Sequence, residues 1–174
     1  EEPGLVGEVI RPGWLVALGG HGKHGKSTLS LHLLHALRQG RDFGPWPTQR
    51  APVAYLGYEM AKGDLAKLLR AVSSVAYRDN TPTEDSYILT VEDLPAPPLE
   101  LENLKELVTA LPPGPGLLVL DSFRAAFLLH GDTENEAGTV GRILRGIQGI
   151  ARRTGWAILI VHHSRKAGAG DPLD

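Results

Sequence analysis

One octapeptide constrains the fold of this chain more than any other feature, because residues 20–27 read G-H-G-K-H-G-K-S. It matches without interruption the phosphate-binding loop G-x-x-x-x-G-K-[ST]. Glycines let the backbone turn tightly, so that its N–H groups point inward around a phosphate. A loop of this kind joins a buried strand to a helix, and the octapeptide therefore predicts a strand before it and a helix after it.

The residues on both sides of the octapeptide supply that strand and that helix. Residues 14–18 form a short apolar run, as a buried strand should. Residues 28–38 are mostly good helix formers, and Gly40 is a typical stop signal. The helix N-terminus adds partial positive charge to the phosphate site. We expect Lys26 to reach the β- and γ-phosphates of ATP and Ser27 to ligate Mg²⁺. The predicted nucleotide-binding residues are Gly20, His21, Gly22, Lys23, His24, Gly25, Lys26, Ser27 and Thr28.

Beyond the first helix, apolar runs and amphipathic stretches alternate, which favours a mostly parallel sheet with helices on both faces. Further strands are predicted over residues 52–58, 87–91, 116–120 and 156–161. Helices are predicted around residues 65–75, 101–111 and 135–154, and residues 122–134 are predicted to form a loop with some order of its own. Four glycines in the last helix favour its close packing on the sheet: Gly138, Gly141, Gly146 and Gly149. We expect an α/β fold in one domain over residues 1–174.

Composition excludes several other classes of protein. The chain has 174 residues and is 42% hydrophobic, enough for one sizeable core. No stretch approaches the roughly 18 apolar residues of a membrane span, and the acidic N-terminus resembles no signal peptide. The chain has no cysteine, which excludes disulfides and thiolate metal sites and favours a cytoplasmic location. With a net charge of −2, any contact with nucleic acid has to be local or shared among subunits.

Two carboxylates follow predicted strands at the sheet edge where ligands bind in such folds. Asp121 comes after four apolar residues, the form of a Walker B aspartate, and could hold Mg²⁺ directly or through water. Glu59 ends another strand, where it could orient and deprotonate an attacking water. The structural alternatives are a helix cap for Asp121 and a solvated residue at the start of the next helix for Glu59.

A pair of histidines, His162 and His163, ends the last predicted strand at the same edge. An imidazole there can hydrogen-bond the γ-phosphate and report its loss. Because successive side chains of a strand alternate in direction, we expect only one of the pair to face the nucleotide. The alternative for each is a capping or packed histidine.

These segments together resemble the RecA-like P-loop ATPases, and within them the RepA-type hexameric helicase branch. The resemblance covers roughly residues 5–170 and rests on segments that match in order and spacing: 20–31, 53–59, 117–122, 131–135 and 152–166. The longest similarity is in the last segment, which contains the histidine pair. The resemblance implies a RecA-like fold and a Mg²⁺-dependent ATPase.

The same resemblance implies a role for each site residue. Lys26, Glu59, Asp121, His162 and His163 would be catalytic, with Glu59 as general base, and Ser27 and Asp121 would serve the metal. Single-stranded DNA would contact residues 122–136 and 164–174. The protein would form a hexameric ring in DNA replication, and Arg165 or Lys166 could complete a neighbour's site.

Three features depart from the family pattern. His21 and His24 are unusual inside the loop, although their backbone N–H groups suffice for binding. Lys23 does not match the extra lysine of the deviant Walker A subclass. The sequence also stops where the family continues into another strand, so we expect an incomplete C-terminus.

Three functions compete on this evidence. The first is an ATP-driven motor on DNA, a ring helicase of RepA type. The second is a non-translocating RecA-like ATPase, such as a recombination accessory or a nucleotide-gated switch, which the acidic balance favours slightly. The third is a small-molecule kinase, which the missing arginine-rich lid disfavours.

Overall fold

The structure is a computed structural model that describes residues 4–21, 25–73, 85–129 and 134–164. These residues contain five strands and five helices, which alternate except for two successive helices between the last two strands. The strands are β1 (Leu15–His21), β2 (Val53–Gly57), β3 (Ser86–Thr90), β4 (Gly116–Asp121) and β5 (Trp156–Ser164). The helices are α1 (Lys26–Gln39), α2 (Lys62–Val72), α3 (Leu101–Ala110), α4 (Phe123–Phe127) and α5 (Glu134–Thr154). Among the described residues, none of the helices combines the length and the apolar character needed to cross a membrane.

The strands form one sheet in the order β1-β5-β4-β2-β3, and every neighbouring pair is parallel. All six residues of β4 are buried, as expected for a central strand covered on both faces. Helices α1 and α2 pack on one face with Tyr55, Val119 and Leu159. Helices α3, α4 and α5 pack on the other face with Leu56, Leu120 and Ile160. The predicted fold class, a RecA-like α/β fold with helices on both faces, is confirmed.

In the predicted loop between β4 and α5, the expected local order includes a short helix, α4. Helix α4 is only five residues long, too short to show a helical repeat in the sequence. It forms because Phe123, Ala126 and Phe127 share one buried face, and the two phenylalanine rings lie 5.3 Å apart. The oxygen of Ser122 accepts a hydrogen bond from the N–H of Ala125 at 3.3 Å and so caps the helix.

The glycines of α5 serve a different contact from the predicted one. A Cβ atom built on Gly146 would lie 2.4 Å from a methyl carbon of Leu101, at the start of α3. Nothing lies within 4 Å of a Cβ at Gly138, and those at Gly141 and Gly149 would meet only arginine side chains of the same helix. Close packing is therefore required at Gly146, against a neighbouring helix rather than against the sheet.

The carboxyl ends of four neighbouring strands meet at one edge of the sheet. In register, Gly20 of β1 pairs with His163 of β5, and Asp121 of β4 pairs with both Val161 and Gly57. Strand β1 runs into the phosphate-binding loop, and β2 is followed two residues later by Glu59. The sheet order thus places all the predicted catalytic side chains at one edge, which is where ligands bind in open α/β sheets.

Candidate active site

The Lys26 side chain, from the first residue of α1, lies against the end of β1. Its exposed fraction is 6%, and Nζ donates hydrogen bonds to the carbonyl oxygens of Gly20 at 2.9 Å and His21 at 2.5 Å. Gly25 precedes the helix with a φ of 74°, in the left-handed region that favours glycine. A buried ammonium is thus fixed at the N-terminus of α1, where an anionic ligand would be stabilised.

The middle of the octapeptide, with Gly22, Lys23 and His24, lies outside the described residues. Ser27 and Thr28 are half-buried in the first turn of α1, next to the lysine. Strand β1 already includes His21, so its last residues are also the first of the loop.

Asp121 is a buried carboxylate with one satisfied oxygen. Its exposed fraction is 2%, and Oδ2 accepts a hydrogen bond from the hydroxyl of Tyr55 at 2.6 Å. Oδ1 has no hydrogen-bond partner among the described residues. Because a buried polar oxygen without a partner is unfavourable, this oxygen is well placed to accept from a metal-bound water or to ligate a cation.

Tyr55 is the hydrogen-bond partner of the aspartate. Burial and then the charge of Asp121 raise the pKa of its phenol far above the usual range, while the Ser27 hydroxyl acts in the opposite direction. The phenol therefore stays protonated and donates to the carboxylate. Tyr55 was not among the site residues predicted from sequence. The sequence feature that could have found it is a phenol hydroxyl in an otherwise apolar strand, at a position that alternation places on the same face as Glu59.

Glu59 is held between two side chains from distant parts of the chain. The hydroxyl of Ser122 donates to Oε1, and Nε2 of His163 lies 3.2 Å from Oε2. The Glu59 side chain is 46% exposed, so its carboxylate still reaches solvent. Ser122, which no motif predicted, is fully buried and belongs to the turn that follows β4.

The two histidines differ in the way that strand alternation predicts. His162 is exposed, whereas His163 is turned toward the carboxylates with a side-chain exposure of 25%. Its contact with Glu59 has the distance of an ion pair but not the alignment of a hydrogen bond, and both ring nitrogens are buried without a hydrogen-bond partner among the described residues. Glu59, Asp121 and His163 each offer a ligand atom within 4.8 Å of the other two.

This donor set fits a nucleotide with Mg²⁺. Mg²⁺ prefers carboxylate and hydroxyl oxygens, and it retains several waters that such oxygens can hold. Ser27, in the first turn of α1, and Asp121, at the end of β4, provide those oxygens, and Oδ1 of Asp121 has no hydrogen-bond partner among the described residues. Lys26 supplies a cation for phosphate oxygens, and Glu59 supplies an accessible carboxylate.

Part of the predicted nucleic-acid contact lies outside the described residues. Of the loop over 122–136, the structure describes α4 and the residues up to 129, together with the backbone of the first turn of α5. Of the segment 164–174, it describes only the backbone of Ser164, at the end of β5. Arg165 and Lys166, the predicted basic residues for a neighbouring site, lie outside it as well.

Two comparisons with known proteins bear on the site. The sequence pattern of a family described as "AAA domain" matches residues 1–169. Among solved structures, the crystal structure of the RadB recombinase is similar, with a TM-score of 0.58 and 18% sequence identity. The similarity covers 92% of this chain and 66% of the RadB chain. At this identity the likeness shows the fold alone, and this chain spans about two thirds of that one.

Proposed function

Because this chain belongs to the AAA domain family, we propose that it binds ATP with Mg²⁺, hydrolyses it and uses the energy on DNA. The single observation that carries the proposal is the convergence of Lys26, Asp121, Glu59 and His163 at one sheet edge. These side chains come from three different elements and the segment that follows β2. Their meeting beside a phosphate-binding loop supports hydrolysis rather than nucleotide binding alone.

Substrate binding rests on the loop and the first turn of α1. Lys26 pairs with the β- and γ-phosphates, exchanging its two carbonyl contacts for phosphate oxygens. The N-terminus of α1 adds its backbone N–H groups. Ser27 and Asp121 hold the metal, directly or through water. When bound, Mg²⁺ neutralises the charge on the phosphate oxygens.

Hydrolysis requires a positioned and activated water. Glu59 is the general base, since its carboxylate is accessible and its orientation is fixed by Ser122 and His163. His163 offers a ring nitrogen within 4.8 Å of ligand atoms of both Asp121 and Glu59. In this proposal, that position lets the ring respond to the γ-phosphate. His162 is exposed and takes no part in this step.

The finer part of the proposal is a ring-forming helicase of RepA type in the cytoplasm. The order and spacing of the sequence segments support it, as does a histidine on the strand next to the loop. Residues 122–136 and 164–174 contact single-stranded DNA in this proposal, and Arg165 or Lys166 enters a neighbour's site. In this proposal residues 1–174 form one RecA-like ATPase domain.

The second candidate is a RecA-like ATPase that does not translocate. The net charge of −2 favours it, as do the acidic residues in the proposed DNA loop, Asp132, Glu134 and Glu136. The similar structure is also that of a protein named as a recombinase rather than a helicase.

Phosphate release measured with and without single-stranded DNA, together with strand separation by the full-length protein, distinguishes the two candidates. A helicase hydrolyses ATP faster with DNA and separates strands, whereas the second candidate does neither while still hydrolysing ATP. Lys26→Ala serves as the matched control, because it removes the phosphate-binding cation and should abolish both activities. If the wild-type protein releases no phosphate from ATP under any of these conditions, the proposed function is wrong.

A further inference from the structure

We propose that Tyr55 is a positioning residue for the magnesium site. Its hydroxyl fixes the Asp121 carboxylate in the orientation in which Oδ1 would bind the metal or a metal-bound water. The inference rests on the proposed function, and it assigns a role to a residue for which none was predicted from sequence. Three features of the structure lead to it: the path of the tyrosine ring, the hydrogen bond of its hydroxyl and the state of the aspartate.

The tyrosine ring follows the strand toward the site because Gly57 leaves room for it. A Cβ atom built on Gly57 would lie 2.9 Å from a ring carbon of Tyr55. Gly57 is also the register partner of Asp121 on the neighbouring strand. A ring that lies over Gly57 therefore brings its hydroxyl to the end of β4, where it meets the aspartate at 2.6 Å. Gly57 thus leaves the space in which the Tyr55 ring lies, and the ring brings its hydroxyl to Asp121.

The hydroxyl contacts one of the two residues proposed to hold the metal. It donates to Oδ2 of Asp121 at 2.6 Å. Hydrogen bonds to a charged oxygen are short and strong, and this one is fully buried. It restricts the rotation of the carboxylate and orients Oδ1, the oxygen without a partner.

A purely structural role would be the filling of the core, since Tyr55 is fully buried and packs with the residues under α1. Tyr55→Phe keeps the ring and removes only the hydroxyl, so it separates the two roles. A core-filling residue would leave metal affinity unchanged. A positioning residue would weaken metal binding while leaving the contacts of Lys26 with phosphate intact.

The experiment titrates Mn²⁺, a paramagnetic substitute for Mg²⁺, into the protein with ADP and follows the free ion by electron paramagnetic resonance. Nucleotide affinity without metal is measured in parallel by calorimetry. For Tyr55→Phe we expect Mn²⁺ affinity to fall about fivefold or more, with nucleotide affinity unchanged. Tyr58→Phe is the matched control, because its hydroxyl donates at 3.2 Å to the carbonyl of Pro95, away from the metal ligands. We expect it to bind Mn²⁺ as the wild type does.

Two further variants keep the test decisive. In an Asp121→Asn background, Tyr55→Phe should cause no further loss, because the two residues act as a unit. Should Tyr55→Phe fail to fold, Gly57→Ala displaces the ring while keeping the hydroxyl, and it should weaken Mn²⁺ binding as well. Unchanged Mn²⁺ affinity in Tyr55→Phe, or in Gly57→Ala where only that variant folds, overturns the inference and leaves the proposed function intact. A wild-type protein that binds no nucleotide contradicts the proposed function itself.

Discussion

Ser122→Ala removes a hydroxyl that serves two elements at once. The side chain is fully buried, and its oxygen accepts the N–H of Ala125 at the start of α4. The same hydroxyl donates to Oε1 of Glu59. The variant therefore lacks both the N-cap of a helix and one of the two side-chain partners that hold the proposed general base.

The size of the effect on stability follows from these two hydrogen bonds. Removal of an N-cap hydroxyl destabilises a protein by about 1 kcal/mol. The hydrogen bond to Glu59 adds less than about 1 kcal/mol, because water can replace the hydroxyl at a half-exposed carboxylate. We therefore expect the free energy of unfolding to fall by about 1–2 kcal/mol.

We expect turnover to fall by more than the loss of folded protein alone would cause. Without the Ser122 hydroxyl, the Glu59 carboxylate samples orientations that do not face the attacking water, and we expect a decrease of about tenfold in kcat. ATP affinity should not change, because Lys26 is untouched. Urea denaturation gives the stability, and phosphate release at saturating ATP gives kcat.

Thr154→Ala provides the matched control. Its hydroxyl donates to the carbonyl of Ile150 at 2.9 Å, at the end of α5 and at the opposite edge of the sheet. It should lose comparable stability with wild-type turnover. If Ser122→Ala loses stability but hydrolyses ATP at the wild-type rate, the hydroxyl only caps α4 and the reasoning on Glu59 is wrong.

Three other outcomes are expected from the site and its surroundings. Glu59→Gln should retain ATP binding but lose about 10²–10⁴ in kcat, and hydrolysis at the wild-type rate would refute its role as base. His163→Ala should lower turnover whereas His162→Ala should not, and equal effects in the same phosphate-release assay would contradict the orientation of the pair. Hydrogen bonds with Thr90 hold the pKa values of the Glu92 and Asp93 carboxyls below their usual range. This stabilisation is present above the unfolded pKa of about 4 and is lost as pH falls below it. In urea denaturation, the stability difference between wild type and Thr90→Val should therefore shrink from about pH 6 to about pH 3; a difference independent of pH would refute it.

The parts of the site that could be predicted from sequence are those set by local order. Lys26 follows a strand and precedes a helix, so its position depends on eight consecutive residues. Asp121 ends a continuous apolar run that only a central strand explains. Alternation of side chains predicts that the two histidines differ, and the structure shows one exposed and one half-buried ring, but the sequence does not say which of the two is buried.

The parts that could not be predicted depend on register between distant segments. Tyr55 meets Asp121 across 66 positions of sequence, and only the pairing of β2 with β4 brings them together. Ser122 likewise meets Glu59 across 63 positions. Neither pairing leaves a periodic trace in the sequence. Helix α4 was missed for another reason, since five residues form less than two turns.

The order of the strands has a consequence for the protein in solution. Strand β1 stands at one end of the sheet, so among the described residues one side of its backbone has no strand partner. Nearby, Val9, Leu29 and Trp46 border one apolar cavity, and each is more than 40% exposed. An open strand edge next to exposed apolar side chains promotes edge-to-edge aggregation. The strand order that assembles the site at the strand ends therefore also leaves one edge of the sheet prone to self-association. We expect light scattering by the purified protein to rise steeply with its concentration.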